Sequence, residues 1–261
     1  MIVYTRPPYP SHMTNPDTAY PYVLINAYDE STLRYVTQQS ARYISSVLLD
    51  SGVYSVFHRL ELKEYPGGHQ AWIDRVYSMW RQVASLVAES YVVVPDYPAD
   101  YESNPIDDNV ERTMRNIEYA VKKYPDAKWV IPVQGKKDDV VSVVKSFEYI
   151  RDLGLIGRYK YVAVAPTCTT HNIRFLRDVA VIISKRVKQV DTSVKIHMFG
   201  VTMKAWPHIA DFVDSTDTIV GNIWCKPLIG KMCTRKEEKE MAWRLFLSKL
   251  SKFNATRGRL N

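Results

Sequence analysis

Three aspartates and one glutamine stand where short apolar runs or helical stretches end, and they are the residues whose types could do chemistry. Asp50 ends "SVLLD", Asp96 ends "YVVVPD", Gln134 lies in "KWVIPVQG", and Asp214 follows "AWPHIADFV". One carboxylate could attack a carbon atom while another transfers protons. An acid beside an amide could read the donor and acceptor edge of a heterocycle. Spacing alone does not assign these roles, since each aspartate could instead cap a turn or end a strand.

The apolar runs predict strands that are buried on both faces. Val and Ile dominate them, and such strands are typical of a parallel sheet covered by helices. Seven candidate strands lie at residues 22–27, 46–50, 91–96, 128–135, 161–166, 195–201 and 216–221. Helical patterns lie at residues 109–124, 138–154, 171–190 and 235–253. Either Thr169 or Thr170 could cap the third of these helices.

Strands that alternate with helices indicate either a doubly wound sheet or a (β/α)8 barrel. The chain has neither a glycine-rich dinucleotide-binding fingerprint nor a P-loop. In a barrel the carboxyl ends of the strands converge on one mouth, where active sites form. The candidate residues lie at or just after the carboxyl end of a predicted strand, or in the loop after a helix, as the residues of such a mouth do: Asp50, Asp96, Gln134, Gly200 and Asp214. We therefore predict a (β/α)8 TIM-type barrel over residues 1–225.

The net charge of +7 is concentrated at the end of the chain. Residues 226–261 contain ten Lys and Arg and three Glu, a net charge of +7, so the rest of the chain is close to neutral. We predict that this basic segment is helical, packs on the barrel and contacts a nucleic acid, because lysine and arginine patches bind phosphates. A solvated helix face is the alternative. The candidate contacts are Lys231, Arg235, Lys236 and Arg244.

The cysteines and the hydropathy pattern bear on the compartment. Cys168, Cys225 and Cys233 fit neither a paired disulfide framework nor CxxC spacing, which favours a reducing compartment. The N-terminus has no long apolar core for a signal peptide, and no window approaches a membrane span. We expect a cytoplasmic protein.

The order of the motifs resembles the tRNA-guanine transglycosylase superfamily, which includes related enzymes that act on DNA. "LLDSGVYSVF" resembles the family's Asp-Ser-Gly-Gly segment, "VVVPDYPAD" its guanine-binding strand, and "VIPVQGKKDDV" its Gln-Gly strand end. "KIHMFGVTMKAWPHIADFVDSTD" resembles a glycine-bearing strand followed by a helix and the nucleophile motif. The resemblance covers roughly residues 45–220. It implies a barrel enzyme that exchanges guanine in a nucleic acid for a 7-deazaguanine base.

The resemblance also implies roles for individual residues. Asp214 would attack C1′ and form a covalent glycosyl ester, and Asp50 would deprotonate the incoming base. The base-binding set would be Asp96, Gln134, Ser51, Tyr54 and Gly200. Asp217, in "DSTD", is a rival nucleophile that the sequence does not exclude. We interpret His69 and His171 as local hydrogen-bonding residues.

The chain departs from the family pattern at three places. Val53 replaces the second glycine of the Asp-Ser-Gly-Gly segment, and "YVAVAP" lacks the family's glycines. The zinc motif is absent, since Cys225 and Cys233 are eight residues apart and no histidine follows His208. We therefore expect no metal and no cofactor, and the polymer could be tRNA or DNA.

Two other functions and the oligomeric state stay open at this stage. One alternative is a catalytically inert subunit that binds nucleic acid. Another is a TIM-barrel enzyme for phosphorylated small molecules, which the missing glycine-rich phosphate loop argues against. A homodimer is compatible with the sequence.

Overall fold

Eight parallel strands close into a barrel in the computed structural model, which describes residues 1–9, 11–15, 17–38, 41–99, 106–218 and 233–258. The strands follow one another around the barrel in chain order, and the last pairs with the first. Their bounds are β1 Ile2–Thr5, β2 Tyr22–Asn26, β3 Ser46–Asp50, β4 Glu89–Val93, β5 Trp129–Val133, β6 Tyr161–Val164, β7 Lys195–Met198 and β8 Ser215–Thr218. The predicted (β/α)8 barrel is confirmed.

Helices connect the strands on the outside of the barrel. They are α1 Ser11–Thr14, α2 Ser31–Gln38, α3 His69–Ala84, α4 Ile106–Lys123, α5 Val140–Asp152, α6 Ile173–Val190, α7 Trp206–Ile209 and α8 Lys236–Gly258. A 3-10 turn covers Ala41–Tyr43, and a π-helix covers Tyr54–Arg59 just after β3. Within the ranges given above, no helix is long and apolar enough to cross a membrane.

Alternation along each strand divides the core into two parts. In β3, Val47 and Leu49 belong to the large core between barrel and helices, whereas Leu48 belongs to a smaller cluster inside the barrel. The smaller cluster also contains Tyr4 and Tyr161. Because successive side chains of a strand point to opposite faces, the inward set of each strand continues to its carboxyl end. That set supplies the floor of the mouth.

The structure adds elements that the sequence patterns did not predict. β1 is a four-residue strand directly before a proline-rich stretch, and α3 begins at His69, in a part of the chain outside the predicted helical patterns. β3 has the predicted bounds, whereas β2, β4, β5, β6 and β7 end before the predicted carboxyl ends, where the chain leaves the barrel. The cap of α6 is Asn172, whose side chain accepts from the N–H of Phe175, rather than Thr169 or Thr170.

The basic helix α8 is anchored by aromatic residues. Trp243 and Phe246 are fully buried, and both rings lie against Tyr20 just before β2. The indole N–H of Trp243 also donates to the carbonyl of Thr18 at 3.1 Å. The expected boundary between residues 225 and 226 lies outside the described residues.

The cysteine expectation is wrong at one position. Cys233 is in a disulfide, while Cys225 lies outside the described residues. A disulfide requires only that two sulfur atoms meet in space, so spacing along the chain did not reveal it.

Candidate active site

Four polar side chains converge at the barrel mouth, the end where the carboxyl ends of the strands meet. Asn26 and Asp50 are paired residues at the ends of β2 and β3. Gln134 directly follows β5, and Asp217 lies in β8 opposite Tyr4 of β1. Asn26, Asp50 and Gln134 each lie an even number of residues beyond an inward-facing residue of the same strand, and Asp217 lies opposite one. The alternation of side chains along a strand therefore directs all four into the mouth.

Asp50 lies in this mouth, and its acidity is strongly altered. Its pKa is raised from 3.8 to about 7, first by burial and then by the charges of Asp217 and Asp96. Hydrogen bonds from the backbone N–H groups of Gly52 and Ser51 oppose this rise only partly. The amide of Asn26 donates to Oδ2 of Asp50 at 3.1 Å. Near neutral pH this carboxyl can therefore both give and take a proton.

Gly52 allows the chain to turn back over Asp50. Its φ is +82°, and a Cβ atom there would lie 3.1 Å from the backbone nitrogen of Tyr28 and 3.3 Å from Oδ1 of Asn26. Any other residue would be strained in this left-handed conformation and would crowd Asn26. Val53, where the resembled family has a second glycine, is the N-cap residue of the π-helix and packs against the outer core.

Asp96 and Gln134 form a second unit beside Asp50. Nε2 of Gln134 donates to Oδ2 of Asp96 at 2.8 Å, and both side chains are almost fully buried. The backbone N–H of Gly135 donates to Oε1 of Gln134 at 3.2 Å, which orients the amide. The Ser51 hydroxyl donates to Oδ1 of Asp96 at 3.4 Å. The predicted acid–amide pair thus exists, and Ser51 lies beside it.

Among the described residues, the hydrogen bonds to the Asp217 carboxylate all go to one oxygen. Its Oδ1 accepts from the backbone N–H of Gly200 at 2.8 Å and lies 3.0 Å from Nε2 of His197. No residue in the described ranges makes a hydrogen bond to its Oδ2. The side chain keeps 15% of its surface exposed.

Gly200 is required where β7 leaves the barrel. Its φ is +59°, and a Cβ atom would lie 2.5 Å from that of Cys168 in the loop after β6. This close approach places the N–H of Gly200 within reach of Asp217. The contact predicted for Gly200 is with a base, and what the structure shows is a bond to a carboxylate.

Asp214 does not lie at the mouth, and its expected position is wrong. It precedes β8, so it lies at the amino end of the barrel. Its Oδ2 accepts from the N–H of Ile196 at 2.7 Å, and its carbonyl accepts from the N–H of Ile2 at 2.8 Å. These bonds join the starts of three neighbouring strands. Asp217 lies three positions further along the chain in an extended strand, and this carries the two carboxylates toward opposite ends.

His197 is a buried residue of the site that the sequence patterns did not identify. Its ring has no exposed surface, and Nδ1 lies 2.8 Å from the hydroxyl of Ser215 while Nε2 faces Asp217. In "KIHMFG" it occupies the same alternate set as Phe199. That alternation was the signal available, but it becomes informative only once the inward set is known.

Tyr54 lies at the rim of the mouth. It begins the π-helix after β3, is 51% exposed, and stacks on His58 with ring centroids 5.1 Å apart. An exposed aromatic ring at a mouth can stack on a base.

The charged residues proposed for nucleic-acid contact lie on or beside α8. Arg235, Lys236 and Arg244 are exposed, and Lys231 lies outside the described residues. Because α8 runs back along the barrel after β8, its first turn lies on the side of the mouth. Nζ of Lys236 lies 6.0 Å from the ring centroid of Tyr9, in the loop that follows β1.

Comparisons with known proteins add little to this geometry. No protein-family model matches the chain, and neither does any curated protein. One similar solved structure is a variant carboxyl transferase domain of Rhizobium etli pyruvate carboxylase with pyruvate, at a TM-score of 0.40 and 10% identity, covering 85% of this chain and 40% of that one. Another is a psychrophilic glycoside hydrolase family 10 endo-β-1,4-xylanase, at a TM-score of 0.41 and 13% identity, covering 84% of this chain and 86% of that one. Likenesses this low carry no argument about activity.

Proposed function

We propose that this protein is a nucleic-acid guanine transglycosylase, which exchanges guanine for a 7-deazaguanine base through a covalent aspartyl intermediate. The observation that carries the proposal is the meeting of Asp50, Asp96 and Asp217 in one barrel mouth, close enough for Asp96 and Asp217 to raise the pKa of Asp50. The motif order in the sequence supports the same chemistry. Asp217 takes the nucleophile's place, because Asp214 lies at the other end of the barrel.

Asp217 begins the reaction in this scheme. Its Oδ2 attacks C1′ of the target nucleotide while the bond from C1′ to N9 breaks, and guanine leaves with that electron pair. The product is a glycosyl ester on Asp217. A carboxylate suits the step because the transition state resembles an oxocarbenium ion, as in retaining glycosidases. The two donors on Oδ1 hold the carboxylate in place during the attack.

Asp50 transfers the protons. In its neutral form it protonates the departing guanine, and the resulting carboxylate then takes the N9 proton of the incoming base. That base attacks C1′ and releases Asp217. A carboxyl with a pKa of about 7 is suited to both transfers near neutral pH.

Asp96 and Gln134 select guanine. The N1–H and N2–H groups of guanine would donate to Asp96, and the second N–H of the Gln134 amide would donate to O6. Adenine would leave the buried carboxylate without a donor at the N1 position, which is costly in a closed site. The target nucleotide has to leave its stack to reach this depth, so the substrate is a flipped or unpaired nucleotide. Exposed cations at the start of α8 would hold its phosphates.

Guanine exchange tests the proposal directly. Radiolabelled guanine is incubated with the protein and with bulk tRNA, single-stranded DNA or duplex DNA, and label in the polymer is measured. We expect label in one of these polymers with the wild type and with Asp214→Asn, and none with Asp217→Asn. Label incorporated by Asp217→Asn would overturn the nucleophile assignment. Firm binding of a polymer with no exchange would instead favour an inert binding subunit.

A further inference from the structure

A chain of buried polar groups connects Asp217 to the centre of the barrel. The hydroxyl of Tyr161 is hydrogen-bonded to that of Ser215, which lies 2.8 Å from Nδ1 of His197. On its other side, Nε2 of His197 lies 3.0 Å from Oδ1 of Asp217. Tyr161, Ser215 and His197 have almost no exposed surface.

These groups occupy positions that apolar side chains usually fill. Barrel interiors are dominated by valine, isoleucine and leucine. A buried polar group is costly unless it is hydrogen-bonded, and a fully bonded network holds its members in one arrangement. The chain from Tyr161 to Asp217 is continuous, so each member restricts the next.

We propose that His197 is a positioning residue for the nucleophile. Its ring carries the proton on Nε2, and the Tyr161–Ser215 pair orients the ring so that this N–H points at Oδ1 of Asp217. The inference depends on the proposed function for its catalytic consequence, but not for the hydrogen-bond arrangement itself. Ser215 donates to Nδ1 and accepts from the Tyr161 hydroxyl. This arrangement requires Nδ1 to carry no proton, which leaves Nε2 as the donor.

The surroundings of the ring restrict its orientation. Aromatic rings enclose His197, with Phe199 at 5.0 Å, Tyr4 at 6.2 Å and Tyr161 at 6.3 Å between ring centroids. Burial raises the pKa of Tyr161 well above its usual range, so its hydroxyl keeps the proton that it donates. Fixing Oδ1 in this way leaves Oδ2 directed at the position of C1′.

The barrel supplies a matched control for this chain. Ser46 is also buried inside the barrel and is hydrogen-bonded to a buried tyrosine, Tyr4, at 2.8 Å. Among the described residues Ser46 makes no direct hydrogen bond to His197, and it reaches Tyr161 only through Tyr4. Ser46→Ala and Ser215→Ala therefore remove similar buried hydroxyls, and only the second removes a direct partner of His197.

Kinetics of guanine exchange is the first test. We expect Ser215→Ala and His197→Leu to lower kcat by about 100-fold, the effect of a small misplacement of a reacting group, with the KM for guanine changed less than about threefold. His197→Gln keeps an N–H donor near the same place and should recover most of the rate. Ser46→Ala should lose comparable stability in denaturant unfolding with kcat unchanged. Equal losses of kcat in Ser46→Ala and Ser215→Ala would overturn the proposal.

Nuclear magnetic resonance without substrate separates this inference from the proposed function. Long-range ¹⁵N–¹H spectra distinguish the two ring nitrogens, and His197 is recognised among the six histidines by its loss in His197→Gln. We expect a proton on Nε2 only, and a changed Nδ1 shift in Ser215→Ala but not in Ser46→Ala. Protons on both nitrogens at neutral pH, or an unchanged spectrum in Ser215→Ala, would overturn the arrangement even if exchange is absent in the wild type.

Discussion

Gln134 and Asp96 form a buried amide–carboxylate pair, in which Nε2 of Gln134 donates to Oδ2 of Asp96 at 2.8 Å. The pair lies at the carboxyl ends of neighbouring strands, with Oε1 of Gln134 engaged by the N–H of Gly135. The acid uses one amide N–H, and no described residue accepts from the other. Under the proposed function, this arrangement pairs with the edge of guanine, whose N1–H and N2–H donate and whose O6 accepts.

Asp96→Asn is expected to weaken guanine binding by about 10- to 100-fold, because the buried acceptor for N1–H and N2–H is lost. Calorimetric titration of the protein with guanine, hypoxanthine and adenine would measure this. The wild type should bind guanine most tightly, then hypoxanthine, which lacks the N2 amine, and adenine least. A control is Ser51→Ala, which keeps the Asp96 carboxylate and removes a 3.4 Å contact to it. An unchanged order of affinities in Asp96→Asn would contradict the proposed role of this acid.

Asp50 should make folding stability depend on pH. Its pKa is raised from 3.8 to about 7, so the folded protein binds this proton more tightly than the unfolded chain does. The resulting stabilisation is complete below about pH 4 and is lost as the pH rises through about 7. In denaturant unfolding at pH 5 and pH 8, Asp50→Asn should therefore gain stability relative to the wild type at pH 8.

Asp191 offers a control of opposite sign for that measurement. The hydrogen bond from Lys160 lowers the pKa of Asp191, so its charged form stabilises the fold at both pH values. Asp191→Asn should lose the same free energy of unfolding at pH 5 and at pH 8. If the stability of Asp50→Asn relative to the wild type is identical at the two pH values, the raised pKa is not present in solution.

The sequence predicted the barrel and the position of Asp50 because both depend on strong local patterns. "SVLLD" is a continuous apolar run that ends at a polar residue, and β3 has the predicted bounds. β8 is different, since "STDT" contains no apolar residue to mark its start. Its placement comes from pairing with β1 and β7, which are distant in the chain. Asp214 and Asp217 were therefore distinguishable only in the folded barrel.

His197 illustrates a second limit. A strand buried on both faces has apolar residues at nearly every position, so its pattern does not show which alternate set faces inward. The inward direction of His197 follows from the register between β7 and β8, where it pairs with Ser215. A buried histidine with two polar partners becomes recognisable only at that level.

Gly200→Ala should be more damaging than other substitutions of glycines with positive φ. The added Cβ would lie 2.5 Å from that of Cys168, so the loops after β6 and β7 would have to separate and the bond from Gly200 to Asp217 would lengthen. We expect a loss of about 2–4 kcal/mol in the free energy of unfolding, together with a lower rate of guanine exchange. Gly154→Ala is the matched control, since its φ is +69° with nothing within 4 Å. Gly154→Ala should lose only about 1–2 kcal/mol in the free energy of unfolding and keep the wild-type rate of guanine exchange. Similar losses in the two variants would show that strain at φ, and not crowding against Cys168, decides the effect.

Charge reversal at the start of α8 should weaken binding of a nucleic acid in a salt-dependent way. Arg235 and Lys236 are exposed on the side of the mouth, so the double variant Arg235→Glu, Lys236→Glu should lose affinity for the polymer that accepts label. The slope of log K against log salt should fall by about 1 for each lost phosphate contact. Lys185→Glu, Lys252→Glu changes the net charge equally, but these exposed residues lie toward the amino end of the barrel. Because long-range attraction depends on total charge while contacts depend on position, only the first variant should change the slope. Equal changes in both would mean that the polymer senses net charge and that the start of α8 is not its contact.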